Sequence, residues 1–263
     1  MAGEATHRWI LALDVENFST RRDPVQKRVR AAMYRALASA MERAGLAAAD
    51  TVTEDRGDGV LMLVAPTVSP LLIAGPFVDE LRQELREYAE QTNAEHAMRL
   101  RLALHQGLAA RDERGWSGDA VNTACRLVDA RQLRDALTAA PSAHLVFAVS
   151  GEVHHAVIRH GHRGIDPAAY LPCTVTTKHG ETISCWITVP GRPAPAGLTG
   201  TAPGTTPGAA TPGPAGAPSG PSGAQGSAPA ARPGVAQHAG TVRGDQIAGD
   251  KNVTVHTSGS VRL

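Results

Sequence analysis

The chain has 263 residues, enough for one large domain or two small ones. Its 26 Lys and Arg residues against 25 Asp and Glu residues leave a net charge of +1, which argues against a nucleic-acid or membrane-surface binder. The sequence has no signal-peptide pattern, no stretch near the roughly 20 apolar residues of a membrane span, and no metal-type spacing among Cys125, Cys173 and Cys185. We expect a cytoplasmic protein with reduced thiols.

The first elements along the chain are a strand, a helix and a hairpin. Residues 9–13 form a short apolar run typical of a buried strand. Pro24 favours a helix start, and apolar residues follow at four-residue spacing from Val25 to Met41. The glycine-containing stretch 56–59 separates two β-prone runs, which predicts a hairpin.

A second helix and a further strand continue this pattern. The helix covers roughly residues 71–91, with Pro76 near its start or at a kink. From Met98 to His105, apolar residues alternate with residues such as Arg99 and Arg101, which predicts a half-solvated strand. The order strand, helix, hairpin, helix, strand predicts a ferredoxin-like α+β sandwich, in which an antiparallel or mixed sheet carries helices on one face.

The composition changes sharply after Pro190. Residues 191–239 are nearly all Pro, Gly, Ala, Ser and Thr, and such a segment cannot bury enough apolar surface to fold, so we expect a disordered linker. Residues 240–263 regain Val and Ile among polar residues and glycines, which predicts a short β-prone motif. The expected organisation is a globular domain at 1–190, followed by this linker and tail.

Two carboxylates at the edge of the predicted sheet are candidate metal ligands. Asp14 follows the first strand, and Asp58 lies in the hairpin turn. If the two strands are neighbours, these carboxylates could share hard divalent cations such as Mg²⁺. Ordinary turn chemistry explains an Asp at either position equally well, so the residues alone leave both interpretations open.

Residues 118–127 predict a glycine turn that leads into a helix. Asn122 and Arg126 are four residues apart and therefore share one face of that helix. An amide and a guanidinium so placed could hold a ribose and a phosphate. A solvated Asn and a surface Arg remain the alternative.

Together these segments resemble the class III nucleotide cyclases, the catalytic domains of adenylate and guanylate cyclases. The family pattern D-(I/V)-x-x-F-(S/T) is matched by residues 14–19, and the G-D of its hairpin turn by Gly57 and Asp58. Its pattern G-(D/N)-x-V-N-x-A-x-R-(L/M) is matched by residues 118–127, and its H-x-G by residues 105–107. The resemblance covers about residues 9–189 and implies a cyclase-type sandwich.

The resemblance also implies a reaction. Asp14 and Asp58 would bind two ions, Mg²⁺ or Mn²⁺, Asn122 would orient the ribose, and Arg126 would stabilise the transferring phosphoryl group. The 3′-hydroxyl of a purine nucleoside triphosphate would attack the α-phosphorus, giving a 3′,5′-cyclic nucleotide and pyrophosphate. In the family the site lies between two subunits, so the resemblance implies a homodimer.

Three further positions would bind the substrate. Gly57 would let the backbone approach a phosphate, and Lys178 resembles the family's triphosphate-binding lysine. Glu54 stands at the base-reading position and favours GTP over ATP. Its usual partner position holds Gly115, which has no side chain to read a purine, and the loop at 108–117 is shorter than is typical of the family.

The tail suggests a second class of function. Residues 240–256 contain a near-repeat with glycine bends and ladder-forming amides, which resembles the amyloid-type signalling motifs of bacterial and fungal immune receptors. The alternative is therefore a catalytically weak or inactive nucleotide-binding signalling adaptor with a self-assembling tail. A disordered tail, or an extra strand docked on the domain, fits the same residues.

Overall fold

The computed structural model describes residues 4–177 and 180–193. Its strands are β1 (Thr6–Val15), β2 (Thr51–Asp55), β3 (Gly59–Val64), β4 (Leu100–Asp112), β5 (Gly115–Ser117), β6 (Leu145–Ser150), β7 (Leu171–Thr176) and β8 (Thr182–Thr188). Its helices are α1 (Asp23–Ala44), α2 (Pro70–Leu72), α3 (Val78–Glu90), α4 (Asp119–Val128), α5 (Arg131–Ala139) and α6 (Gly151–Ala156). Apart from residues 191–193, the predicted linker and tail lie outside the described residues.

The strands form one mixed sheet in the order β2-β3-β1-β4-β6-β8-β7, and β5 pairs with β4 off this path. β1 runs antiparallel to both β3 and β4, whereas β6 runs parallel to β4. The arrangement of β1, α1, β2, β3, α3 and β4 is the ferredoxin-like order. The predicted α+β sandwich is confirmed.

Helices cover both faces of this sheet, not the single face that the sequence predicted. Leu11 and Leu13 of β1 belong to an apolar cluster that includes residues of α1 and α3. Ile10 and Ala12 point the other way, into a second cluster that includes residues of α4 and α5. The helices on the second face were not predicted, because α4 and α5 are short and their apolar positions do not identify the sheet face that they cover.

Because helices cover both faces of the sheet, the first half of β4 is buried on both sides. The sequence predicted a half-solvated strand, yet Arg101 and His105 are each only 8% exposed. Both lie on the same face of the strand as Ala103, which packs in the second apolar cluster. The prediction was wrong because charged residues in alternation were taken to face water, whereas helices cover that side.

The helix around Pro76 follows its prediction more closely. A π-helical turn, Ile73–Phe77, joins α2 to α3 and contains Pro76. Because proline has no backbone N–H, such a turn is a usual way to pass it within a helical segment. None of the helices in the described ranges is long and apolar enough to cross a membrane.

Candidate active site

The two predicted metal carboxylates lie at one end of the sheet. Asp14 of β1 is opposite Gly59 of β3, so the two strands are neighbours and Asp58 in the turn lies close to Asp14. The backbone N–H of Val15 donates to the carbonyl oxygen of Asp58 over 3.0 Å, which closes the turn against β1. Both Asp residues line a cavity of about 200 Å³.

Asp14 is 9% exposed and forms an ion pair with Arg101, its partner across β1 and β4. Burial lowers the pKa of the Arg101 guanidinium, and the charge of Arg134 lowers it further. Arg101 was not among the predicted site residues. The sequence did contain a signal for Arg101: it is a charged residue within the apolar alternation of β4. That strand pairs with β1, which carries Asp14.

The donor set at this cavity suits a hard cation. In the part of the chain that the structure describes, no group of three His, Cys, Asp or Glu residues is placed to hold a metal. Mg²⁺, however, commonly uses only one or two carboxylates together with waters and substrate phosphates. Oδ2 of Asp14 is the atom that pairs with Arg101, so a cation bound there would share or displace this contact. Asp14 and Asp58 therefore fit an ion that is completed by substrate oxygens.

Asn122 and Arg126 line a second cavity of about 720 Å³, between α4 and the end of β7. Their shared helix face is as predicted. Arg131 and Arg134 also line this cavity, so three guanidinium groups face it together with one carboxylate, Asp129. Arg126 pairs with Glu181 at 3.3 Å, and these side chains are 40% and 65% exposed.

The two cavities are adjacent. Cys125 and Asp129 contribute to the lining of both. Gly118 sets the start of α4 there: its φ is +136°, and a side chain would meet the carbonyl oxygen of Leu108 at 2.9 Å. The motif glycine is therefore required for α4 to pack closely against β4.

Glu54 occupies the predicted base-reading position on β2. Its carboxylate accepts a hydrogen bond from the backbone N–H of Trp116 over 3.1 Å and pairs with Arg56 at 3.2 Å. A side chain at Gly115, whose φ is +134°, would lie 2.8 Å from the Glu54 carboxylate. Gly115 thus leaves the space that Glu54 fills.

Gly57 and Lys178 are the remaining residues predicted to bind the substrate. The backbone N–H of Gly57 donates to Asp55 Oδ1 over 2.7 Å and is therefore already engaged within the turn. Lys178 lies outside the described residues.

Two solved structures share this architecture. The guanylyl cyclase Cya2 matches with a TM-score of 0.53 at 17% identity, over 74% of this chain and 100% of that one. An adenylate/guanylate cyclase/hydrolase from Silicibacter pomeroyi matches with a TM-score of 0.50 at 21% identity, over 71% of this chain and 98% of that one. The chain has the fold of a class III nucleotide cyclase catalytic domain. No protein-family model and no curated protein matches the sequence, and at these identities the likeness establishes the fold alone.

A buried polar pair ties the central strands of this cyclase-type domain together. His105 Nδ1 lies 2.8 Å from the hydroxyl of Ser150, which also caps α6 by accepting the N–H of Val153. Burial lowers the pKa of His105, whereas Glu152 opposes this shift. The lowered pKa favours the neutral imidazole. Sequence reasoning placed His105 in the H-x-G motif but did not find its partner.

Proposed function

We propose that the chain is a nucleotide cyclase that converts a purine nucleoside triphosphate to a 3′,5′-cyclic nucleotide and pyrophosphate. One observation carries the proposal. Asp14 and Asp58 line one cavity, and Asn122 and Arg126 line the adjacent one. One chain of this cyclase-type fold therefore presents two half-sites: carboxylates for cations, and an amide and a guanidinium suited to a ribose and a phosphate.

Asp14 and Asp58 would hold the divalent ions, Mg²⁺ or Mn²⁺. When bound, such ions lower the pKa of the ribose 3′-hydroxyl and neutralise the triphosphate. Arg101 balances the charge of Asp14 within the protein and adds a fixed positive charge close to where phosphates would lie. Because Asp58 is exposed at the turn, it can take a ligand without disturbing the core.

Asn122 and Arg126 would act on the other side of the substrate. The Asn122 amide would bind a ribose oxygen, and the Arg126 guanidinium would bind the phosphoryl oxygens on which charge develops. Arg126 must first leave Glu181. Since exposed ion pairs are worth about 0.2–1 kcal/mol, this exchange costs little.

The two half-sites would come from different subunits. We infer a homodimer in which the Asp pair of one protomer faces Asn122 and Arg126 of its partner. The resemblance to the cyclase family supports this arrangement. Exposed residues line both cavities, Asp58 in one and Arg131 in the other, as an interfacial site requires.

GTP is the proposed purine substrate ahead of ATP. Guanine presents N1–H and N2–H₂ donors side by side, which a carboxylate such as Glu54 can accept together. Adenine offers a single exocyclic amino group at the corresponding edge. Glu54 would exchange Arg56 and the Trp116 N–H for the base.

A nucleotide-binding signalling protein without turnover is the second candidate. It is favoured by the pairing of the site's charged groups within the protein: Asp14 with Arg101, Arg126 with Glu181, and Glu54 with Arg56. The segment 240–263 would then supply the signalling output by self-assembly.

Product analysis separates the two candidates. The full chain is incubated with ATP, GTP, CTP, UTP and Mn²⁺, and the products are identified by mass spectrometry. A cyclic purine nucleotide is expected from the wild type and from Asp23→Asn, a matched change of an exposed Asp outside the site, but not from Asp58→Asn. Saturable nucleotide binding without any product would support the second candidate.

A further inference from the structure

Two of the three cysteines meet in the hairpin of β7 and β8. Cys173 lies directly opposite Cys185 in the antiparallel register. Their sulfur atoms are 2.7 Å apart, and both are free thiols. Cys125 is separate from them, on α4. This pairing was not predicted from the sequence, because an odd number of cysteines without metal-type spacing indicates only reduced thiols.

The positions of Cys173 and Cys185 suit a cross-strand disulfide. Directly opposed residues on antiparallel strands have Cβ atoms about 4.5–5.5 Å apart, and a disulfide needs about 3.5–4.5 Å, so only a small approach of the strands is required. Both cysteines belong to the second apolar cluster, which fixes their side chains on one face of the hairpin. The register therefore holds these two thiols together and leaves Cys125 out.

The two thiols differ in reactivity. The hydrogen bond from Cys185 lowers the pKa of Cys173, and the same contact together with burial raises the pKa of Cys185. Cys173 also lies on β7, the last strand in the sheet order, and is 8% exposed, whereas Cys185 is fully buried. Since the thiolate is the form that reacts, Cys173 is the thiol that meets an oxidant first.

We propose that Cys173 and Cys185 are a modification site that forms a reversible intramolecular disulfide on reaction with a peroxide. The Cys173 thiolate attacks one peroxide oxygen, the O–O bond breaks, and the other oxygen takes up the proton that Cys173 released and leaves as water, so that Cys173 becomes a sulfenic acid. The Cys185 sulfur then attacks the Cys173 sulfur, the S–S bond forms as the S–O bond breaks, and the sulfenic hydroxyl leaves as water with the proton of the Cys185 thiol. Two thiols and one hydrogen peroxide thus give one disulfide and two waters, and a dithiol reductant reverses the step.

The position of the pair gives the disulfide a consequence for the second cavity. The hairpin that it joins contributes Val175, Thr176 and Thr177 to the lining of the cavity that contains Arg126. Glu181, just before β8, pairs with Arg126. Gln132 at the start of α5 donates to the carbonyl oxygen of Thr174 over 2.7 Å, next to Cys173. Oxidation would therefore fix β7, whose last residues line this cavity, against β8.

Peptide mapping of the full chain tests the proposal without any change to the protein. Trypsin cuts after Arg163 and Lys178, so Cys173 and Cys185 fall on different peptides. After reduction, desalting, hydrogen peroxide treatment and blocking of free thiols with N-ethylmaleimide, we expect the two peptides joined and Cys125 alkylated. Treatment with dithiothreitol should separate them. Alkylation of all three cysteines after peroxide, or a cross-link through Cys125, would overturn the proposal.

Thermal unfolding provides a second readout. A disulfide that closes a short loop should raise the Tm of the oxidised protein by roughly 5 °C or more. Cys125→Ser should show the same rise, because Cys125 is the matched thiol outside the pair. Cys173→Ala should show none and should leave Cys185 alkylated. An equal rise in Cys173→Ala would mean that peroxide acts elsewhere, and the assignment would be wrong.

Discussion

The ion pair between Arg126 and Glu181 allows a quantitative test of Arg126 as a phosphate ligand. Nucleotide must displace Glu181 before the guanidinium can bind a phosphoryl oxygen. The side chains are 40% and 65% exposed and the charged atoms are 3.3 Å apart, so the pair is screened by solvent and is worth about 0.2–1 kcal/mol. Glu181→Gln removes this competition and should tighten nucleotide binding by roughly 1.4- to 5-fold.

The assay is the Kd for a non-hydrolysable GTP analogue, measured by calorimetry at low salt, where exposed ion pairs are strongest. Glu90→Gln is the matched control, because Glu90 is 69% exposed and pairs with Arg86 at 3.8 Å on the outer side of α3. It should leave Kd unchanged. Unchanged or weaker binding in Glu181→Gln would refute the reasoning, since Arg126 would then not exchange Glu181 for phosphate.

Further predictions concern the two carboxylates and the buried imidazole. Asp14→Ala should abolish turnover and also destabilise the fold by roughly 3–5 kcal/mol, because it leaves the buried Arg101 without its partner. Asp58→Ala should also abolish turnover, but its free energy of unfolding should stay within about 0.5 kcal/mol of the wild-type value. Urea unfolding measures the stability of both variants, and equal losses would contradict this prediction. Because burial lowers the pKa of His105 in the fold, the unfolded chain binds more protons near the ordinary value of 6.5, so stability is full above that pH and falls below it. Thermal unfolding of the wild type should show a larger fall between pH 7.5 and 5.5 than that of His105→Gln, and identical profiles would show that His105 does not titrate on unfolding.

Much of the fold follows from local patterns in the sequence. β1, α1, the β2–β3 hairpin and β4 could be predicted because each has a clear period or turn signal. The proximity of Asp14 and Asp58 followed from one assumption, that β1 and β3 are neighbours, and the register bears this out. The common face of Asn122 and Arg126 needed only helical spacing.

Other features depend on tertiary contacts, which local sequence patterns do not predict. The alternation in β4 could not show that α4 and α5 cover its polar side, so Arg101 was predicted to face solvent when in fact it pairs with Asp14. Glu54 and Gly115 are 61 positions apart in the sequence, and only the tertiary fold brings the Glu54 carboxylate to β5. The opposition of Cys173 and Cys185 likewise depends on the register of β7 and β8.

Mixing two inactive variants tests the central claim most directly, namely that the Asp pair of one subunit acts with Asn122 and Arg126 of its partner. Asp58→Ala and Arg126→Ala should each form no cyclic nucleotide alone. In an equal mixture, half of the dimers combine the two variants, and each of these has one intact site out of two, so about a quarter of wild-type activity should return. No recovery, in a mixture shown by native mass spectrometry to contain the mixed dimer, would contradict a cyclase site shared between subunits.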